Sequence, residues 1–279
     1  MAPFLHRLIV SLIKEWSLFM NKWMVVLVVF LLVLIAADVQ ADCEFERLLD
    51  ESLDVSGSQS LAIFAAAGDL EIAGVSSSDE VRIRGKICVS EEHWLDEARL
   101  ETSSGDRAEI NVVLPDVSGG WSLWGSKYAY MDLELEVPDS LVLELRDSSG
   151  DIKIEDISAL WLQDSSGDIE IRNVAGLVEI KDSSGDIEVR GLKGDFTIIS
   201  DSSGDIRGSD IEGNVLVESD SSGEIWFTEV RKDVVVGQDS SGDIIAENVG
   251  GDFRVLKDSS GTIHSENISG EVEIPKHKM

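Results

Sequence analysis

The sequence is short of cysteine, histidine, proline and basic residues, and each shortage closes off a class of protein. Two cysteines and four histidines are too few for a multi-zinc module or a disulfide-dense miniature fold. Four prolines against 24 glycines exclude polyproline and collagen-type chains and suit a chain of many tight turns. Lysine and arginine number 23 against 54 acidic residues, a formal net charge of -31, which turns the chain away from nucleic acid. Hydrophobic residues still make up 43%, enough to offset the ordering entropy that keeps acidic, apolar-poor chains unfolded. No GxSxG, HExxH or GxxxxGK string occurs, so acyl transfer, zinc hydrolysis and nucleotide chemistry lack a motif.

The one long apolar run, Trp23 to Ala37, is preceded by Lys14 and Lys22 and followed by Asp38. It is short for a membrane span, which takes roughly 20 residues. It ends in Val39, Gln40, Ala41, a small-x-small pattern that predicts a signal peptide over 1–41 with cleavage before Asp42. Met20 is an alternative initiator, since Met20 to Ala41 alone has the order of a complete signal. An uncleaved anchor is the competing expectation, and the signal is the only membrane contact expected. Asp42 before Cys43 does not resemble a lipobox. Export to the periplasm or cell surface would place Cys43 and Cys88 in an oxidising compartment, which predicts one bridge between them, with two buried thiols as the alternative.

From Asp147 onward the chain repeats. DSSG followed by an acid and isoleucine begins at Asp147, Asp164, Asp182, Asp201, Asp220 and Asp239, and closes as DSSGTI at Asp258, with spacings of 17, 18, 19, 19, 19 and 19. A period near 19 marks stacked supersecondary units. The residue after each turn is isoleucine, from Ile152 to Ile263, and the residue five later is always aliphatic, from Ile157 to Ile268. Alternating apolar pairs follow, such as Leu160 and Leu162, Phe196 and Ile198, and Val272 and Ile274. That period of two is a strand pattern. The expected fold is all-β, a right-handed parallel β-solenoid of about seven coils of 17–19 residues over 141–274, with a tail at 275–279. At ~4.8 Å per coil the repeats would make a rod roughly 34 Å long.

Residues 42–140 are less regular and predict an N-terminal cap with irregular strands. Ala67 to Ile72 resembles a degenerate turn and strand, Glu80 to Val89 alternates as a strand, and Ser103, Ser104, Gly105, Asp106 echoes the turn. Ser90 to Leu100 predicts a short helix capped by Ser90.

The SSGDI turns, the export signal, the Cys43 and Cys88 pair, and Val137, Pro138 before the first full repeat together resemble a bacterial putative-adhesin family of exported β-strand-repeat proteins of unknown activity. The resemblance spans most of 43–274. It implies an exported β-solenoid and carries over no catalytic or binding residue.

In such a stack, like residues lie above like. Ser149, Ser166 and Ser184 would share hydrogen bonds up a serine ladder. The column Asp147, Asp164, Asp182, Asp201, Asp220, Asp239, Asp258 would repel itself by about 0.9 kcal/mol per neighbouring pair in water. It must be solvated, tied to backbone or neutralised. Repeated carboxylates are the donors calcium takes, so this column is the candidate metal site and calcium the one candidate cofactor. Against it, the turn lacks the nonapeptide spacing of calcium-loaded β-rolls, and Asp before Ser-Ser-Gly is ordinary turn chemistry. A glycosidase would break the repeat with one unlike acid pair, so polysaccharide-active enzymes are the weakest expectation and no catalytic residue is assigned. Departures such as Glu224, Trp226, Phe227, Thr262 and His264 read as tolerated variation or end capping. Trp121, Trp124, Tyr128 and Tyr130, in a glycine-flanked stretch, either plug the rod or form a contact surface for a glycan or envelope protein. The expected function is a non-enzymatic structural or adhesive element of the envelope, with a calcium-responsive binding module as the alternative.

Overall fold

The computed structural model describes residues 43–117 and 127–276. The expected signal peptide, the alternative start at Met20, and Trp121 and Trp124 lie outside the described residues. The chain from Cys43 onward forms one compact unit of two 11-stranded sheets. Among the described residues the single helix, α1, spans Trp94–Glu97, and no helix is long and apolar enough to cross a membrane.

Ten elements build the first part of the chain: β1 (Phe45–Asp54), β2 (Ser60–Phe64), β3 (Leu70–Val75), β4 (Glu80–Val89), α1, β5 (Arg99–Ser103), β6 (Arg107–Val113), β7 (Ala129–Pro138), β8 (Val142–Arg146) and β9 (Ile152–Glu155). Beyond β9 successive strands alternate between the sheets, and each pairs in parallel with its counterpart one coil away. Register is strict: Ile152, Ile169, Ile187, Ile206, Ile225, Ile244 and Ile263 oppose one another in sequence. This is the β-solenoid the periodicity predicts, and the aliphatic columns form its dry core, with Ile154, Leu160, Ile171, Phe196 and Val236 fully buried.

The core also accommodates one size exchange. Gly208 and Phe227 are register partners, and a side chain on Gly208 would strike the Phe227 ring. Ala246 lies on the other side of Phe227. A large residue between two small ones keeps the column's volume, which explains a departure that looked like mere variation. Phe227 also meets Phe196 edge-on at 6.1 Å between ring centroids.

The first third departs from expectation in its order. Sheet positions run β1-β4-β7-β3-β9 on one side and β5-β6-β2-β8 on the other. The coil formed by β2 and β3 is therefore sandwiched between the later coil of β6 and β7 and the still later coil of β8 and β9. Ala67 to Asp69 is a true coil turn: Ala67 bridges Ser149, and the Gly68 N–H donates to the Ser149 carbonyl at 2.9 Å. Ser103 to Asp106 is not, because it joins the antiparallel pair β5 and β6. The end of the stack is closed by β4, antiparallel to β7, by β1, antiparallel to β4, and by β5. The Cys43–Cys88 disulfide ties the start of β1 to β4 with Cα atoms 5.5 Å apart. Closing its 45-residue separation contributes about 4 kcal/mol on the loop-entropy account. Helix α1 is shorter than expected, and its N-cap position is His93, whose side chain makes no capping hydrogen bond, rather than Ser90. The Ser90 hydroxyl is engaged elsewhere, accepting the Tyr128 N–H at 3.1 Å.

At the other end, the last strands are exposed. Val272 is 47% accessible, so the expected inward pair there is only partly realised, with Ile274 half-buried.

Candidate functional site

The feature repeated most faithfully is the DSSG edge. Its glycines, Gly150, Gly167, Gly185, Gly204, Gly223, Gly242 and Gly261, all have positive φ between +115° and +143°. A side chain on any of them would collide with the carbonyl oxygen of the glycine one coil below, so glycine is required twice over, by conformation and by close approach. The serines stack too, but not hydroxyl to hydroxyl as expected. Ser166 donates to the Ser148 carbonyl at 3.2 Å, Ser222 to Ser202 at 3.0 Å and Ser260 to Ser240 at 3.0 Å. Each hydroxyl thus ties one coil's turn to the backbone of the coil before it.

The two acid columns of this edge part company. The second acid of each turn lies toward solvent and binds backbone: the carboxylate of Asp151 accepts the Asp168 N–H at 3.1 Å, Asp168 that of Asp186 at 2.9 Å, and Asp205 that of Glu224 at 2.8 Å. The ladder continues into the first third, where Asp69 accepts from Asp151 and Asp132 from Asp69, each at 3.1 Å. Asp132 shows no turn motif, and only the coil order reveals its place. A like ladder runs at another corner, where Asp195 accepts the Asn214 N–H at 2.7 Å and Asp233 that of Asp252 at 2.8 Å. Its signal was present in the sequence as Asp or Asn at the 19-residue period.

The first acid of each turn faces the interior. Asp147, Asp164, Asp182, Asp201, Asp220, Asp239 and Asp258 are only 0–6% accessible. Sequence reasoning named these seven as one stacked column and as candidate metal ligands; the column is there, but the solvation that reasoning allowed for is withheld. What it does supply is the backbone tie: Ser202 and Ser221 donate their N–H groups to Asp201 and Asp220 at 2.7 Å, and Ser241 to Asp239 at 3.2 Å. These bonds favour the ionised form, yet burial outweighs them. Desolvation, helped by neighbouring carboxyls, pushes Asp147 and Asp220 up to about 7 and Asp182 and Asp239 up to about 6. Asp164 and Asp201 are raised as well, again chiefly by burial.

With this edge described, the chain can be set beside known proteins. Residues 59–209 match the Toastrack DUF4097 family. The chain belongs to that family. The match begins in β2 and takes in four DSSG turns of the Toastrack chain, while the same period runs on beyond it to Asp258. No curated protein matches. Among solved structures, the chain is similar to a protein described as a putative lipid binding protein from Parabacteroides distasonis, with 17% identity over 82% of this chain and 97% of that one and a TM-score of 0.45. It is also similar to a putative adhesin from Bacteroides fragilis, with 14% identity over 82% and 98% of the two chains and a TM-score of 0.44. A putative cell adhesion protein from Clostridium sporogenes matches at 10% identity over 82% and 100%, with a TM-score of 0.32.

Of the aromatic cluster, Tyr128 and Tyr130 are half-buried. Their rings lie 6.0 Å apart, and the Tyr128 hydroxyl accepts the Glu44 N–H at 3.0 Å. They knit β7 to the chain leading into β1. Lys127, beside them, sits 5.2 Å from the centre of the Trp94 ring. A different grouping escaped the sequence: register places Ile245 against His264 and Glu247 against Glu266, and donor atoms of Glu247, His264 and Glu266 gather within 4.8 Å of one another. Three donors, Glu247 half-buried and His264 and Glu266 exposed, fall short of the six to eight oxygens that calcium takes.

Proposed function

We propose that this Toastrack chain is an exported, non-enzymatic β-solenoid that serves as a structural or adhesive element of a bacterial envelope, meeting an envelope protein or glycan. The observation that carries the proposal is the exposed Asp ladder, which offers the same group at the same height in coil after coil, from Asp151 to Asp205. An array of identical, evenly spaced, weak contacts gains strength by avidity and needs no single deep site. The strand register that creates the array also makes it rigid, so contacts are presented without an ordering cost at each encounter.

The test removes whole coils. Deleting residues 201–219, one 19-residue period, joins Ser200 to Asp220 and preserves the motif. Binding of the full-length and shortened proteins to envelope fragments of the producing bacterium is compared. An adhesive rod loses affinity in step with the number of coils removed. Unchanged binding after loss of one coil and then two would sink the proposal, and complete loss on deleting one particular coil would point instead to a local site. Export is tested by amino-terminal sequencing of the protein recovered from envelope fractions, where a mature end at Asp42 is expected.

A further inference from the structure

The inward aspartates do more than shape a turn. A turn of this type needs only one side-chain oxygen to accept a serine N–H, and asparagine supplies that oxygen as well as aspartate does. The exposed ladders show such tolerance: Asn214 stands in one and Glu224 in another. The buried column shows none, with aspartate in all seven turns. What aspartate has and asparagine lacks is a second oxygen that accepts when ionised and donates when protonated. In Asp201, Asp220 and Asp239 it is Oδ1 that takes the serine N–H, while Oδ2 is buried with no protein donor.

We infer that Asp147, Asp164, Asp182, Asp201, Asp220 and Asp239 form a proton-sharing column inside the rod, in which a protonated carboxyl of one coil donates to the carboxylate of the next. Two buried carboxylates one strand spacing apart cannot both stay ionised, and a shared proton turns a repulsion into a strong hydrogen bond. The Asp147 and Asp164 carboxyls act on each other, as do those of Asp220 and Asp239, and Asp239 and Asp258 are register partners on adjacent strands. Two ionised carboxylates at that approach would leave acceptor facing acceptor. Among the described residues, the charged groups that raise the column's members are acidic: its own members, and Asp186 acting on Asp201. Arg146, Lys181 and Lys257, which precede column members in the chain, are exposed.

The consequence is a rod that tightens in acid. Each column carboxyl with a raised folded-state value holds its proton in the native state at a pH where the unfolded chain has released it. The native state therefore binds more protons between the ordinary value of 3.8 and about 7, and stability falls as pH rises through that window.

The experiment compares wild type with Asp182→Asn, a neutral isostere in mid-column, and with Asp168→Asn, which removes one charge from the exposed ladder while keeping the acceptor oxygen. Thermal midpoints are measured from about pH 5 to about pH 8, and the infrared spectrum of the wild type is recorded near neutral pH. Three results are expected: a carbonyl stretch of neutral carboxylic acid persisting at neutral pH, a wild-type midpoint that falls as pH rises, and a midpoint for Asp182→Asn that exceeds wild type at pH 8 and varies less with pH. Asp168→Asn should track wild type. If both variants shift alike, the pH dependence belongs to net charge and the inference fails. It fails too if the neutral-acid band is missing. A wild-type midpoint at pH 8 that rises with calcium and falls with a chelator would assign the column to metal cations.

Discussion

The first third of the molecule and the repeats that follow share two sheets and one core, yet they are built by different rules. In the repeats, chain order is stacking order, and every strand finds a parallel partner one period away. In the first third, β3 lies between β7 and β9, and antiparallel strands close the end. Charges do not follow this division: in the first third Arg82 reaches across strands to Glu136 at 3.2 Å while Arg99 pairs with Glu101 on its own strand at 2.7 Å, and in the repeats Arg190 turns back to Glu188 at 2.8 Å while Arg207 reaches Asp186 one coil away at 3.5 Å. The difference teaches that repetition and closure are separate tasks. Identical coils extend a stack without limit, and only an irregular segment stops it by covering the open edge.

The sharpest way to break the comparison is to place the same substitution in both regions. Gly204 in the repeats has φ +135° and the carbonyl of Gly185 beneath it, while Gly57 in the first third has φ +90° and nothing near. Gly204→Ala should cost roughly 3 to 5 kcal/mol, because the coil spacing itself must yield. Gly57→Ala should cost about 1 kcal/mol, the conformational penalty alone. Urea unfolding of both variants checks this, and equal losses would mean that stacking adds nothing to the glycine requirement.

Next in size is the volume exchange inside the repeats. Phe227→Ala should lose about 3 to 5 kcal/mol through the cavity it leaves. Gly208→Val alone should lose about 1 to 3 kcal/mol through overpacking. The double variant Gly208→Val with Phe227→Val should recover part of the summed loss, since the two residues share one space. Strict additivity would show that the column does not trade volume between coils.

The smallest effect is a gain. Asp156, Asn173, Asp210, Asn248 and Asn267 hold left-handed backbone at one corner of their coils, and Glu229 occupies the same position with φ 57°. Asparagine tolerates that conformation better than glutamate. Glu229→Asn should therefore stabilise by about 0.5 to 1 kcal/mol, seen as a small rise in the thermal midpoint. No gain would mean that the coil already relieves the strain.

Much of this was legible in the residues. The 19-residue period, the aliphatic columns and the glycine of every turn announced the solenoid, because a stacked fold writes its geometry into the chain as repetition. The Cys43–Cys88 bridge was legible from redox chemistry. Less was legible in the site. Asp132 joined the exposed ladder from a segment with no motif, and Ser103 to Asp106 carried the motif without the role. A short string states a local conformation and not which strand lies alongside it.

Sequence by itself determined the coil, since backbone conformation and the alternation of apolar side chains are local matters repeated at each period. Tertiary structure alone decided the coil order of the first third and the burial of the seven aspartates. Both depend on what lies one strand spacing away, and a chain position says nothing of that until the stack is assembled.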